Sequence, residues 1–139
     1  MSHITSVDIA LKDMALLKRA LSDLGMDVRE GGTVEVYDGS VVAGDLTVHT
    51  PGTVWERRKD YGVAFVRSGD GFEAKADWDA VARHESMKTF NGSQEVFLDA
   101  VGQTYSKLLV EDELLDHGFT LEEEETVDGK IILTATSHR

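Results

Sequence analysis

The sequence predicts an α+β fold, in which one mainly antiparallel sheet carries two helices packed on one face. Three observations support this prediction. Residues 60–79 have the pattern of two strands joined by a tight turn, and two further segments have the apolar periodicity of amphipathic helices. Each helix is followed by a glycine and then by two short strand-like segments, so the chain resembles two strand–helix–hairpin units. Short connections of this kind favour antiparallel pairing.

The first half of the chain supplies one strand, one helix and several short strands. Apolar and polar side chains alternate over residues 3–11, which predicts a strand. Apolar residues then recur at helical spacing, with Asp13 placed to cap the first turn and Gly25 placed to end the helix. The predicted helix therefore covers residues 13–24. Short strands are predicted at residues 26–30, 33–37 and 41–48.

The second half is built on the hairpin at residues 60–79. Asp70 and Gly71 form a strong two-residue turn signal, and the residues that follow alternate between apolar and charged. The irregular segment at residues 80–92 predicts a loop with one helical turn. Ser93 and Gly118 bracket a long helix. Two final strands are predicted at residues 119–125 and 130–136.

The composition is that of a globular chain with a strong negative charge. Its 139 residues are expected to form one domain, residues 1–139. No segment has the roughly 18 consecutive apolar residues of a membrane span, and the N-terminus lacks the basic and apolar regions of a signal peptide. The absence of cysteine excludes disulfides and thiolate metal sites and favours a cytoplasmic location. The net charge of −12 repels phosphate backbones, so nucleic-acid binding is not expected.

Four motifs, taken together and in order, resemble one known family. They are the opening MSHITSVDIALKDMALLKRALSDLG, the segment VYDGSVVAGDLTV, the hairpin YGVAFVRSGDGFEAKADW and the ending YSKLL…DHGFTLEEEETVDGKIILT. The chain resembles the hypothetical chloroplast open reading frame 35 family, the domain of unknown function 1257. The resemblance implies no assigned activity and no cofactor. Because bacterial members tend to be encoded near an AAA-type ATPase, it implies an accessory role with such an ATPase as candidate partner.

Six residues before the hairpin and at its end are candidates for partner binding. They are Trp55, Arg57, Arg58, Asp77, Trp78 and Asp79. Tryptophan flanked by charged residues is typical of an interface anchor. Trp55 also lies in TPGTVWERRKDYG, a connection longer than the equivalent one in the family. An alternative interpretation makes Trp78 a lid on the core beside a capping carboxylate, and makes the basic pair part of a solvated loop.

A second hypothesis assigns the chain a small-molecule or metal site, and with it an enzymatic role. His3, Asp45 and Asp77 are its candidate ligands, because imidazole and carboxylate groups bind divalent metals. The five histidines form no H-x-x-x-H or H-E-x-x-H pair, and no nucleophile–base pair suited to catalysis is visible. This hypothesis therefore requires His3 to lie close to Asp45 or Asp77 in the fold.

The sequence thus favours an accessory protein that binds another protein, without a cofactor, over an enzyme. An exposed sheet face or edge also favours a homodimer. A third hypothesis, mimicry of nucleic acid by an acidic surface, depends on the net charge alone. The sequence leaves open the biochemical activity and the identity of the partner.

Overall fold

The computed structural model describes residues 4–36, 38–127 and 130–137 of the chain, and it has the predicted α+β fold. The strands are β1 (Ile4–Ile9), β2 (Asp27–Glu30), β3 (Thr33–Glu35), β4 (Val41–Ala43), β5 (Leu46–His49), β6 (Gly62–Ser68), β7 (Gly71–Asp77), β8 (Phe119–Val127) and β9 (Lys130–Ser137). The α-helices are α1 (Met14–Asp23), α2 (Trp78–Val81) and α3 (Gln94–Asp116), and short 3₁₀ helices cover Val54–Glu56 and Glu85–Phe90. No helix in these described ranges is long and apolar enough to cross a membrane.

Five antiparallel strands form the main sheet, in the order β1-β7-β6-β5-β2. The predicted hairpin is confirmed as β6 and β7, which lie in the interior of this sheet and turn between Ser68 and Gly71. The strands β3 and β4 pair with each other, as do β8 and β9, in separate two-stranded sheets. The hairpin therefore lies at the centre of the main sheet, with β1 on one side and β5 and β2 on the other.

The segments β2 and β3 do not pair with each other, although the second half of a strand–helix–hairpin unit predicts that they should. Instead β2 pairs with β5, and β3 pairs with β4. Gly31 and Gly32 lie between them with φ of 70° and 86°, a left-handed backbone that glycine adopts without steric cost. The amide of Gly31 donates to the Asp45 carbonyl, and the amide of Gly44 donates to the Gly32 carbonyl. These bonds direct the chain out of the main sheet, so β3 and β4 fold back over it.

Both long helices pack on one face of the main sheet and enclose the core, as predicted. Alternate residues of the central strands contribute to this core, together with Leu17 and Leu21 of α1 and Phe97 and Val101 of α3. The predicted N-caps are confirmed. Asp13 Oδ1 accepts from the Leu16 amide at 3.1 Å, and Ser93 Oγ accepts from the Val96 amide at 3.2 Å.

The other face of the sheet is partly covered by β3. Val34 is buried there, against Gly62 of β6. A Cβ built on Gly62 would come within 2.7 Å of Val34 Cγ1 and would overlap the Val48 carbonyl, so this contact requires glycine. Glu73 and Lys75 of β7 also lie on this face and are half-buried.

The segment predicted as a loop at residues 80–92 is more ordered than its sequence pattern indicates. It continues α2 into the 3₁₀ helix Glu85–Phe90, and Met87 and Phe90 are buried in the core. The irregular spacing of these apolar residues fits a 3₁₀ turn better than an α-helix, which explains why a 3.6-residue pattern does not reveal it.

Candidate functional site

The candidate site is built on the β5–β6 loop, which we define as residues 50–61. Three pairs of backbone groups bridge this loop. The Thr50 amide donates to the Tyr61 carbonyl at 2.7 Å, and the Gly52 amide donates to the Lys59 carbonyl at 2.7 Å. Nearer the tip, the Arg58 amide donates to the Thr53 carbonyl at 2.9 Å. The loop is long, but these bonds hold its backbone as a narrow, ordered projection from the sheet.

A chain of polar side chains closes the base of the loop. His49, the last residue of β5, places Nδ1 2.8 Å from Asp60 Oδ1 on the opposite side of the loop. The other ring nitrogen, Nε2, lies 2.8 Å from Thr47 Oγ1, which donates to the Gly31 carbonyl at 2.9 Å. Burying polar groups is unfavourable unless they are hydrogen-bonded. Thr47 and His49 are both buried, and Thr47 meets this condition through the Gly31 carbonyl and His49 through Asp60. This chain fixes where the loop leaves the sheet.

The same base is connected to β3 through Glu35. Its carboxylate accepts from the Asp60 amide at 2.8 Å, and its own amide donates to the Asp60 carbonyl at 2.8 Å. The strand that covers the second face of the sheet therefore also supports the loop. Its tip projects from a base that is bound on two sides.

Exposed side chains crowd the tip of the loop. Trp55 is 95% exposed, and the neighbouring Val54 is 67% exposed. Arg57 and Arg58 follow, both exposed and both with a left-handed backbone, at φ of 59° and 51°. A left-handed conformation costs a non-glycine residue about 1–2 kcal/mol, and such strain is concentrated at functional sites in proteins. The tip thus combines a large apolar surface, two positive charges and a strained backbone.

The predicted partner-binding residues at the end of the hairpin are placed differently. Trp78 is half-buried, its Nε1 donates to the Gly92 carbonyl at 2.8 Å, and its ring centroid lies 5.8 Å from that of Phe97. Asp77 is buried and occupies the N-cap position of α2, but its side chain makes no capping bond there. Asp79 alone among the three has an exposed side chain. The structure therefore gives Trp78 the core-covering position that the alternative interpretation described.

The candidate metal ligands are not assembled among the described residues. His3 lies outside them. Asp45 is exposed and accepts from the Arg67 amide at 2.7 Å. The strand register aligns the position of Asp45 with Glu73, four residues from Asp77 along β7, or about 13 Å at the usual rise per residue. In the described part of the chain, no group of three His, Cys, Asp or Glu side chains could hold a metal ion.

A depression of about 310 Å³ separates the β5–β6 loop from α2 and the 3₁₀ helix that follows it. Its polar lining consists of Thr50, Thr53, Arg83, His84, Glu85 and Lys88. Exposed Asp79 comes directly before Ala80, the first residue of α2 that lines the depression, but Asp79 is not part of the lining. We refer to this feature as the loop–α2 depression.

A family model described as a protein of unknown function (DUF1257) matches residues 20–134, which is most of the chain. The chain belongs to the DUF1257 family. No curated protein and no solved structure matches this DUF1257 chain. The resemblance to the domain of unknown function 1257 is thereby confirmed, whereas the chloroplast reading-frame name stays a prediction. The matched residues include the whole β5–β6 loop and the loop–α2 depression, so both lie inside the DUF1257 domain.

The lining of the depression contains residues that the sequence did not single out in this DUF1257 chain. Arg83 and Lys88 fall in the segment without a regular pattern. The distribution of charged residues along the sequence is the signal that points to this region. Residues 50–92 contain seven of the fourteen Lys and Arg side chains but only seven of the twenty-six Asp and Glu side chains. This middle segment is therefore neutral in a strongly acidic chain, and it forms both the loop tip and the depression.

Proposed function

We propose that this DUF1257 chain is an accessory protein that binds another protein through the tip of the β5–β6 loop. The observation that carries the proposal is the 95% exposure of Trp55 on a loop whose backbone is bridged by hydrogen bonds. Burying a tryptophan removes roughly 150–250 Å² of surface from water, and tryptophan is among the residues that dominate interface energies. Because the loop is already ordered, little backbone entropy is lost on binding.

The charges beside Trp55 indicate the chemistry of the partner surface. Arg57 and Arg58 carry planar guanidinium groups, which bind carboxylates through two hydrogen bonds at once. We therefore expect a partner with an apolar cleft for the indole ring, bordered by Asp or Glu. An AAA-type ATPase is the candidate partner that the family resemblance implies. The absence of cysteine supports a cytoplasmic location for this interaction.

Affinity purification from the native host tests the proposal. Three baits are compared, namely the native chain, Trp55→Ala and Leu115→Ala. Leu115 on α3 is also strongly exposed, so its variant controls for the loss of an exposed apolar side chain. A partner bound through the loop tip should be recovered with the native chain and with Leu115→Ala, and lost with Trp55→Ala.

The partner identified in this way is then purified and its affinity measured. Loss of a tryptophan anchor typically costs 2 kcal/mol or more, so Trp55→Ala should weaken binding by about thirtyfold. Arg57→Ala and Arg58→Ala should weaken it less and should reduce its dependence on salt. A partner that binds Trp55→Ala as tightly as the native chain would contradict the proposal.

We also expect a homodimer, because β1 and β2 are the edges of the main sheet and offer unpaired backbone groups. Light scattering at increasing protein concentration tests this expectation. A strict monomer at the highest concentration would rule it out, without bearing on the role of Trp55.

A further inference from the structure

We propose that the loop–α2 depression binds the phosphate group of a small molecule. This site is separate from the loop tip, and the proposal does not require Trp55 to bind a protein. It is based on an unsatisfied buried hydroxyl, on the tautomer of a lining histidine and on the local balance of charge.

The buried hydroxyl belongs to Thr50. The residue is only 1% exposed, yet Oγ1 has no hydrogen-bond partner among the described residues. Its backbone amide is held by the Tyr61 carbonyl, so the residue is fixed in position at the edge of the depression. Buried hydroxyls are nearly always hydrogen-bonded, and an exception indicates a water or ligand that completes the site. Thr50 is one of the residues that line the depression, so we assign the missing partner to that space.

His84 contributes a donor rather than an acceptor. Its Nδ1 accepts a hydrogen bond from the Ser86 backbone amide at 3.1 Å and lies 2.7 Å from Ser86 Oγ. A backbone N–H can only donate, so Nδ1 must keep its lone pair, and the neutral ring carries its proton on Nε2. The fold thereby leaves an N–H donor on a side chain that lines the depression.

The charges around the depression favour an anion. Among the residues that line it, Arg83 and Lys88 are positive and Glu85 is negative, while the exposed Asp79 lies outside the lining. This local excess occurs in a chain whose net charge is −12. Arginine and lysine, together with neutral hydroxyl and imidazole donors, are the groups that proteins use to bind phosphate oxygens.

The number of donors favours phosphate over carboxylate. Five side chains that line the depression can donate, namely Thr50, Thr53, Arg83, His84 and Lys88. A phosphate offers three strong acceptor oxygens on a tetrahedral group, whereas a carboxylate offers two in one plane. The volume of about 310 Å³ lies at the lower end of the usual range for small-molecule sites, so it also leaves space for a small organic portion.

The proposal is tested with inorganic phosphate as the probe, by amide NMR of the full chain at constant ionic strength. Sodium phosphate replaces sodium chloride stepwise, and sodium acetate replaces it in a parallel series. We expect saturable shifts with phosphate at the amides of Gly52, Thr53, His84 and Glu85, and no shift at Gly102 on α3. Acetate should produce much smaller shifts at these amides.

Three variants locate the site. Thr50→Val and Lys88→Gln should each weaken phosphate binding by about fivefold, the effect of one lost hydrogen bond. Lys12→Gln removes an exposed positive charge elsewhere and should bind like the native chain. Because valine has nearly the shape of threonine, Thr50→Val should also remain folded. The thermal shift that phosphate induces should be smaller in this variant than in the native chain.

Several outcomes would overturn the proposal. Equal shifts in the phosphate and acetate series would indicate unspecific charge effects. Saturation with acetate but not with phosphate would indicate a carboxylate site. A native phosphate affinity in both Thr50→Val and Lys88→Gln would show that phosphate binds elsewhere.

Discussion

His49 Nδ1 lies 2.8 Å from Asp60 Oδ1, and this contact joins the two sides of the β5–β6 loop where it leaves the sheet. The imidazole is buried and the carboxylate is half exposed. A carboxylate can only accept at neutral pH, so His49 donates from Nδ1. The contact links the position of the exposed loop tip to the interior of the protein.

Removing the charge of Asp60 should loosen the loop. Asp60→Asn keeps the size of the side chain but replaces a charged acceptor with a neutral one, and it should lower the free energy of unfolding by about 1 kcal/mol. Urea denaturation measures this, and hydrogen exchange at the Gly52 amide should become faster. Asp99→Asn, at an exposed position on α3, should change stability by less than about 0.5 kcal/mol. Equal stability of the two variants would contradict a structural role for the contact.

Substitution by valine should have opposite effects on stability at Thr47 and at Thr50. Thr47→Val removes a hydroxyl that bridges Gly31 and His49, and should cost about 2 kcal/mol because buried partners lose their bonds. Thr50→Val removes a buried hydroxyl without a described partner, and should gain about 1 kcal/mol in the free protein. Thermal unfolding in phosphate-free buffer compares the two. If Thr50→Val is destabilised as much as Thr47→Val, the hydroxyl of Thr50 is already satisfied.

A pair of glycine substitutions tests the packing of β3 on the sheet. Gly62→Ala would place a methyl group against Val34 and the Val48 carbonyl, and should cost about 2 kcal/mol or more through overpacking. Gly102→Ala in α3 meets no atom within 4 Å, and should stabilise the chain by about 1 kcal/mol because alanine favours helix. Urea midpoints measure both effects. A neutral Gly62→Ala would contradict the close approach of Gly62 to both Val48 and Val34.

Replacing Arg58 at the loop tip by glycine should not lower the stability of the protein. Arg58→Gly relieves the left-handed backbone at φ 51° but increases the entropy of the unfolded chain, so it should raise stability by about 0.5 kcal/mol. Arg29→Gly in β2 relieves no such strain and should lower stability by about 1 kcal/mol. Denaturation of both variants under identical conditions gives the comparison. A loss of stability in Arg58→Gly similar to that in Arg29→Gly would show that its backbone is not strained.

The turn between β3 and β4 should weaken in acid. The Ser40 backbone amide donates to Asp38 Oδ1 at 2.8 Å, and this bond, followed by one from the Ser40 side chain, lowers the pKa of the Asp38 carboxyl group. A lowered pKa in the fold means that the stabilisation is fully present above the ordinary value and is lost as pH falls through the lowered one. NMR titration should show Asp38 and the Ser40 amide changing together below pH 4. In Ser40→Pro, which lacks the amide, the Asp38 pKa should move upward towards its ordinary value.

Local features of this chain are well predicted from the sequence because they depend on neighbouring residues. The N-caps Asp13 and Ser93 are decided within a few positions, and the structure has them where the sequence indicates. The hairpin also turns within residues 68–71, but its two turn residues are Gly69 and Asp70, one position before the predicted Asp70 and Gly71, because Gly71 already pairs with Ser68. The course of β3 is not local. It depends on bonds between Gly31 and Asp45, which no short pattern reveals.

The candidate site, like the course of β3, depends on contacts between residues that are far apart in sequence. Trp55 and Trp78 both stand beside charged residues, and the loop position of Trp55 favours exposure while Trp78 has the alternative of a lid on the core; in the structure Trp55 is exposed and Trp78 packs against Phe97. Tertiary packing decides between the two interpretations of Trp78. Thr50 and Lys88 both line the loop–α2 depression, although they are far apart in sequence. They come together only because the sheet brings the loop beside α2.

The contrast between the two tryptophans gives the chain an optical property. They are its only tryptophans, one surrounded by water and the other hydrogen-bonded and half-buried. An indole in water emits at longer wavelength and is accessible to iodide quenching, whereas Trp78 is partly shielded. A molecule that covers the loop tip should therefore shift the emission to shorter wavelength and protect it from iodide. The unlabelled protein can report the occupancy of its own proposed binding surface, with Trp78 as an internal reference.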